Sequence, residues 1–86
     1  GNAMKILYFA GFRQRIGIGE EDVCPPDTVR DVAALVEWLK QRSPEFAGAL
    51  ADISTLRVAV NQEFANFDTE LRGSEEVAFF PPMTGG

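Results

Sequence analysis

Histidine is absent from this 86-residue chain. The side chain that most readily gives and takes a proton near neutral pH is missing, and so is the commonest metal ligand. A Ser-His-Asp or Cys-His site built within the chain is excluded, and no bound metal is expected. Cysteine is nearly as scarce. Cys24 stands alone, so no intramolecular disulfide can form, which is consistent with the cytoplasm. Positive charge is the minority sign, with eight Lys and Arg against thirteen Asp and Glu and a net charge of -5. Phosphate contacts need clustered basic side chains, so a nucleic-acid partner is not expected and a basic protein partner fits better. No apolar run approaches the ~20 residues of a membrane span, and no secretory signal is visible.

What is present fits one small domain. A chain of this length buries roughly 60–65% of its unfolded surface, which leaves no room for a deep enzyme pocket beside a full core. Seven phenylalanines and one tryptophan supply aromatic mass for that core. Gly1-Asn2-Ala3 ahead of Met4 reads as the remnant of a cleaved expression tag, with Met4 the expected natural start. The domain is expected over residues 4–80, followed by an extended tail over 81–86.

The run Lys5 to Ala10 predicts a strand buried on both faces, ending at Gly11. A loop around Phe12 to Ile18 then leads to a second strand, Glu20 to Cys24, stopped by Pro25-Pro26. The clearest helix is predicted to start at a Thr28 N-cap with Asp31 three residues on. Val29, Val32, Ala33, Val36 and Leu39 form its apolar face, widened by Leu35 and Trp38. Ser43-Pro44 ends it, and Pro44 to Ala51 predicts a short second helix. Leu56 to Asn61 and Phe64 to Phe67 read as strands around a turn at Asn61-Gln62-Glu63. Residues 68–74 read as an irregular connection, and Glu76 to Phe80 as the last strand. Two strands, a helix and three more strands imply an α+β fold, a mixed sheet of about five strands on one main helix. With a right-handed crossover the first and last strands lie side by side, as in a ubiquitin-like β-grasp.

The tail then becomes the candidate functional element. Pro81-Pro82 favours a stiff, extended exit from the sheet. Residues 81–86 reach roughly 20 Å at about 3.3 Å each. Gly85 and Gly86 have no Cβ and suit a channel too narrow for other residues. The terminal carboxylate of Gly86 is the candidate reacting group.

Val77-Ala78-Phe79-Phe80-Pro81-Pro82-Met83-Thr84-Gly85-Gly86 resembles the C-terminus of the small subunits of molybdopterin synthases, sulfur carriers of the ThiS/MoaD family. Lys5 to Ala10 with Arg13, Thr28-Val29, and Val58-Ala59-Val60-Asn61-Gln62 extend the resemblance over nearly the whole chain. One departure shows: Ser74-Glu75-Glu76-Val77 stands where the family usually has Gly-Asp-Glu-Val, with Gly73 one place early. The resemblance implies a non-catalytic subunit with its catalytic side chains supplied by a large subunit, in a heterotetramer. It implies that an E1-like adenylating enzyme uses ATP to activate Gly86. A sulfur donor protein then converts Gly86 to a thiocarboxylate, which donates sulfur to cyclic pyranopterin monophosphate. No cofactor is expected on this chain. Phe80, Pro81, Pro82, Met83 and Thr84, with an exposed sheet face around Val58 and Val60, are expected to dock partners, and Gly85 to give access. A thiamine-type sulfur carrier and a ubiquitin-like modifier use the same carboxyl activation and remain alternatives, as does an interaction module with an idle tail.

The remaining residues have plainer readings. Cys24 is expected to be a small packed residue, Trp38 to serve helix packing, and Glu20-Glu21-Asp22 to be a solvated hairpin edge. Arg13 and Arg15 are expected to serve solubility rather than to meet acidic groups on an activating enzyme.

Overall fold

Alternation along the first strand decides which side of the sheet is buried. In a computed structural model, which describes residues 3–82, β1 (Met4–Tyr8) turns Met4, Ile6 and Tyr8 into the core. The other elements follow as α1 (Ala10–Ile16), β2 (Glu20–Val23), α2 (Val32–Lys40), α3 (Pro44–Ala49), a 3-10 turn (Ile53–Thr55), β3 (Arg57–Val60), β4 (Glu63–Ala65) and β5 (Glu76–Phe80). The sheet runs β2-β1-β5-β3-β4. β1 and β5 are parallel and the other pairs antiparallel. First and last strands are thus neighbours, as the β-grasp reading requires.

Residues expected to be a loop form α1. Its start has no side-chain cap, Ala10 has φ 53, and Gly11 is a poor helix former, so no sequence signal marked it. It is held by burial of Phe12 and closed by Gly17 at φ 96, whose N–H donates to the Arg13 carbonyl.

The main helix begins later than Thr28. Asp31 is the N-cap, accepting the Ala34 N–H at 2.8 Å. The reason lies in the connection after β4. The Phe67 and Thr69 carbonyls accept from Ala33 and Val32, and Leu71 N–H donates to Arg30. This segment holds residues up to Asp31 extended and satisfies the first helical donors from outside. Val32, Leu35, Val36 and Leu39 are buried as the stripe required, whereas Ala33 is exposed and Trp38 half-buried. α3 is capped by Ser43. Between β3 and β4, Asn61 and Gln62 both have positive φ, the signature of a tight type I′ hairpin. β4 therefore begins at Glu63, inside the expected turn, and ends at Ala65, two residues early.

Two surface expectations are corrected. Cys24 is exposed, since β2 ends at Val23. Glu21 is half-buried rather than a solvated edge charge. It accepts the Tyr8 hydroxyl at 2.7 Å and Arg42 Nη1 at 2.8 Å, and Arg42 lies over the Trp38 and Phe46 rings. Burial, and then the bond to Glu21, push the Tyr8 phenol far above its usual pKa.

The departure before β5 has its own solution. Gly73 takes the left-handed conformation at φ 112. The backbone N–H groups of Arg72, Gly73 and Ser74 converge on the Glu75 carboxylate at 2.7, 2.8 and 3.1 Å. Desolvation by itself raises this carboxyl's pKa, but the backbone donors outweigh it and hold the group below its ordinary value. A depressed folded pKa gives stability that is present above the ordinary carboxylate range and lost as pH falls through the folded value. Glu75→Gln is expected to cost about 1 kcal/mol at neutral pH, the low end for charge-assisted bonds because the loop is partly exposed. In urea denaturation the gap from the parent protein should narrow as pH falls below the ordinary carboxylate range. Equal stability at neutral pH would show that the loop does not depend on the carboxylate.

Candidate functional site

The tail leaves from β5, which has β1 on one side and β3 on the other. Tyr8 pairs with Phe79 and Arg57 with Phe80, and Phe9 N–H donates to the Phe79 carbonyl, so both neighbours support the strand to its last residue. Within the strand the side chains alternate. Val77 and Phe79 are fully buried among the residues beneath α2, whereas Ala78 and Phe80 lie on the other face. Pro81 is exposed and Pro82 half-buried. Met83, Thr84, Gly85 and Gly86 lie outside the described residues.

The open face has a composition that sequence alone did not reveal. Register places Leu7, Ala78, Ala59 and Phe64 abreast across four strands. Phe64 is 85% exposed and its ring lies 5.9 Å from that of Phe80. Phe9, 47% exposed, follows Tyr8 at the same end of the sheet. Small residues in the middle and aromatic ones towards the tail make a shallow apolar platform leading to Pro81. Exposed apolar clusters of this kind mark interaction surfaces.

Val58 and Val60 are not on it. Val58 is 3% exposed and Val60 packs against the core, because Val58 pairs with buried Phe79. The face proposed for them belongs to Arg57 and Ala59. Phe80 and Val58 were assigned to one side, but they lie one register step apart and so face opposite ways. Pairing β3 with β5 in sequence would have corrected the phase and brought in Phe64 through Ala59.

Charge is distributed unevenly over the surface. Lys5, Lys40 and Arg42 are paired with Glu20, Glu37 and Glu21. Arg13 and Arg15 on α1 form no ion pair with a described residue. A concavity of about 470 Å3 around Pro25, Arg30, Leu71 and Arg72 lies at the other end of the sheet, where β1 and β5 begin. It is remote from the tail. Among the described residues, no group of three or more His, Cys, Asp or Glu could hold a metal ion, and no helix is long and apolar enough to cross a membrane.

The sequence profile of the ThiS family matches residues 6–86, nearly the entire chain and both glycines of the tail. The chain belongs to the ThiS family. Within that family it is similar to the molybdopterin synthase sulfur carrier subunit of Escherichia coli, at 40% identity over 83 residues covering 96% of this chain and 99% of that one. Among solved structures it is similar to a Pyrococcus furiosus protein described as molybdopterin converting factor, subunit 1. The TM-score is 0.77 at 31% identity, over 96% of this chain and 100% of the other. A third likeness, of fold alone at 16% identity and TM-score 0.63, is to a Helicobacter pylori complex of subunits 1 and 2 of molybdopterin-converting factor. It covers 98% of this chain and 99% of that one. The ThiS fold thus places the platform and the tail root of this chain together at one end of the sheet.

Proposed function

We propose that this chain is the sulfur carrier subunit of a molybdopterin synthase, acting in the cytoplasm. The observation that carries the proposal is similarity to proteins of that name over essentially the full length of both chains, including the diglycine. The architecture supports it. β5 is braced on both sides up to Phe80, so the tail starts from a fixed root. The platform of Leu7, Ala59, Ala78, Phe64 and Phe80 gives a partner protein an apolar surface beside that root.

An E1-like adenylating enzyme spends ATP to convert the Gly86 carboxylate to an acyl adenylate with loss of pyrophosphate. Sulfide-level sulfur, delivered by a donor protein as a hydrosulfide equivalent, displaces AMP and leaves a thiocarboxylate. The large subunit, in a heterotetramer with this chain, receives the tail, and the sulfur attacks cyclic pyranopterin monophosphate. Gly86 is the reacting residue, and Gly85 lets the chain thread a narrow channel. The acid, base and charge-stabilising groups belong to the partners, a division of labour with which the lack of histidine in this chain agrees.

Intact-mass measurement after incubation with the cognate activating enzyme, ATP and a sulfur source tests the proposal. The expected result is exchange of one C-terminal oxygen for sulfur. An unchanged mass with an activating enzyme that loads another carrier would overturn it, and a stable adduct on a target lysine would instead identify a modifier.

A further inference from the structure

A second recess lies beside the tail root, on the helical side of the sheet. Its volume is about 220 Å3, and Gly11 and Phe12 of α1, Ala49 at the end of α3, Ala51 and Pro81 line it, mostly with apolar atoms. Arg15 and Asp52 stand at the same recess. Asp52 is already engaged, accepting Ser54 N–H at 3.0 Å and Ser54 Oγ–H at 2.6 Å. Arg15 is exposed and forms neither an ion pair nor a side-chain hydrogen bond with a described residue. The recess and the open platform therefore flank the root of the tail, with Pro81 in the wall of one and Phe80 in the other.

We propose that this recess is a socket for the large subunit, which inserts one aliphatic side chain beside Pro81 and sets a neighbouring carboxylate against Arg15. The inference rests on the carrier reading above and specifies how that partner grips the body. The volume is below the roughly 300–1,000 Å3 of pockets that enclose drug-sized ligands, and it suits one side chain. Sharing Pro81 makes the socket continuous with the tail that the partner must take. An unpaired arginine on a chain of net charge -5 favours an acidic group at this corner, where the rest of the surface favours a basic one. Met83 of the same chain is the rival occupant, two residues beyond Pro81. A segment of a folded partner is ordered beforehand, which keeps the entropic cost of seating one side chain small.

The test fills the socket from two walls. A Cβ at Gly11 meets nothing within 4 Å, and Ala51 is exposed, so Gly11→Phe and Ala51→Phe occupy the space without displacing the core. Titration calorimetry of the full chain against its large subunit should show affinity lowered roughly tenfold or more by each. Arg15→Gln should lower it less and reduce its salt dependence. Melting temperature and loading by the activating enzyme should match the parent protein. Parent-like affinity for both filled variants, while Phe80→Ala binds more weakly, would overturn the socket and leave the carrier reading intact. Failure of the parent protein itself to bind would overturn both. An equal loss towards the activating enzyme would overturn the assignment to the large subunit. Methyl resonances of Ala49 and Ala51 that shift on Met83→Ala, with parent-like affinity in the filled variants, would give the socket to the chain's own tail.

Discussion

Removal of Gly86 is expected to abolish sulfur loading, by at least about a hundredfold in rate, while the melting temperature stays where it was. The variant still ends in a glycine carboxylate, so the chemistry of the end group is preserved. What changes is reach, because one residue fewer withdraws the carboxylate by about 3.3–3.6 Å. Reacting atoms must lie about 3–3.5 Å apart, and a misplacement of 1 Å can cost on the order of a hundredfold. The body should be unaffected, since its core runs from Met4 to Phe79. Affinity for the large subunit should fall little, because the platform around Phe80 and Phe64 is intact. Intact mass after loading, thermal melts and calorimetry separate the three outcomes. A shortened chain that loads at the parent rate would show that the partner reads the carboxylate and not its distance from the fold.

The second large effect is expected one residue before Phe80. Phe79→Ala should destabilise the domain by about 3–5 kcal/mol, the range for a large aromatic deleted from a core. Phe79 is fully buried, stacks on Tyr8 with ring centroids 6.2 Å apart, and pairs across β3 with Val58. A domain of this size has about 5–10 kcal/mol in total, so much of its margin disappears. At about 4–8 °C per kcal/mol, the melting temperature should fall by more than about 12 °C. Phe80→Ala, adjacent in sequence but on the open face, should change it little. Equal falls for the two would contradict the alternation from which the platform is built.

The elements legible in the sequence were those with strong local signals. The strands at Lys5 and Glu76, the apolar stripe of α2 and the Ser43 cap of α3 each follow from pattern and capping chemistry within a few residues. What the sequence left obscure came from partners distant along the chain. The start of α2 is set by carbonyls of Phe67 and Thr69. α1 has no cap and little apolar periodicity, and it persists because Phe12 finds a core. Cys24 is exposed because β2 stops one residue earlier. The end of β5 at Phe80 was legible because Pro81-Pro82 cannot continue a strand ladder, whatever the tertiary context. The open face was half legible: Phe80 lies on it as expected, whereas Val58 and Val60 face the core and Phe64 was missed, because a face is a property of register between strands.

The parallel pairing of β1 with β5 has a consequence for the order of events during synthesis. β1 emerges from the ribosome first and finds its central neighbour only when residues 76–80 follow, almost the whole described chain later. Contacts of such long sequence separation form late, and the core cannot close before them. The segment that completes the sheet is the one that leads into the reactive end. A chain therefore cannot hold the root of its tail between two strands until everything preceding it has been made and folded.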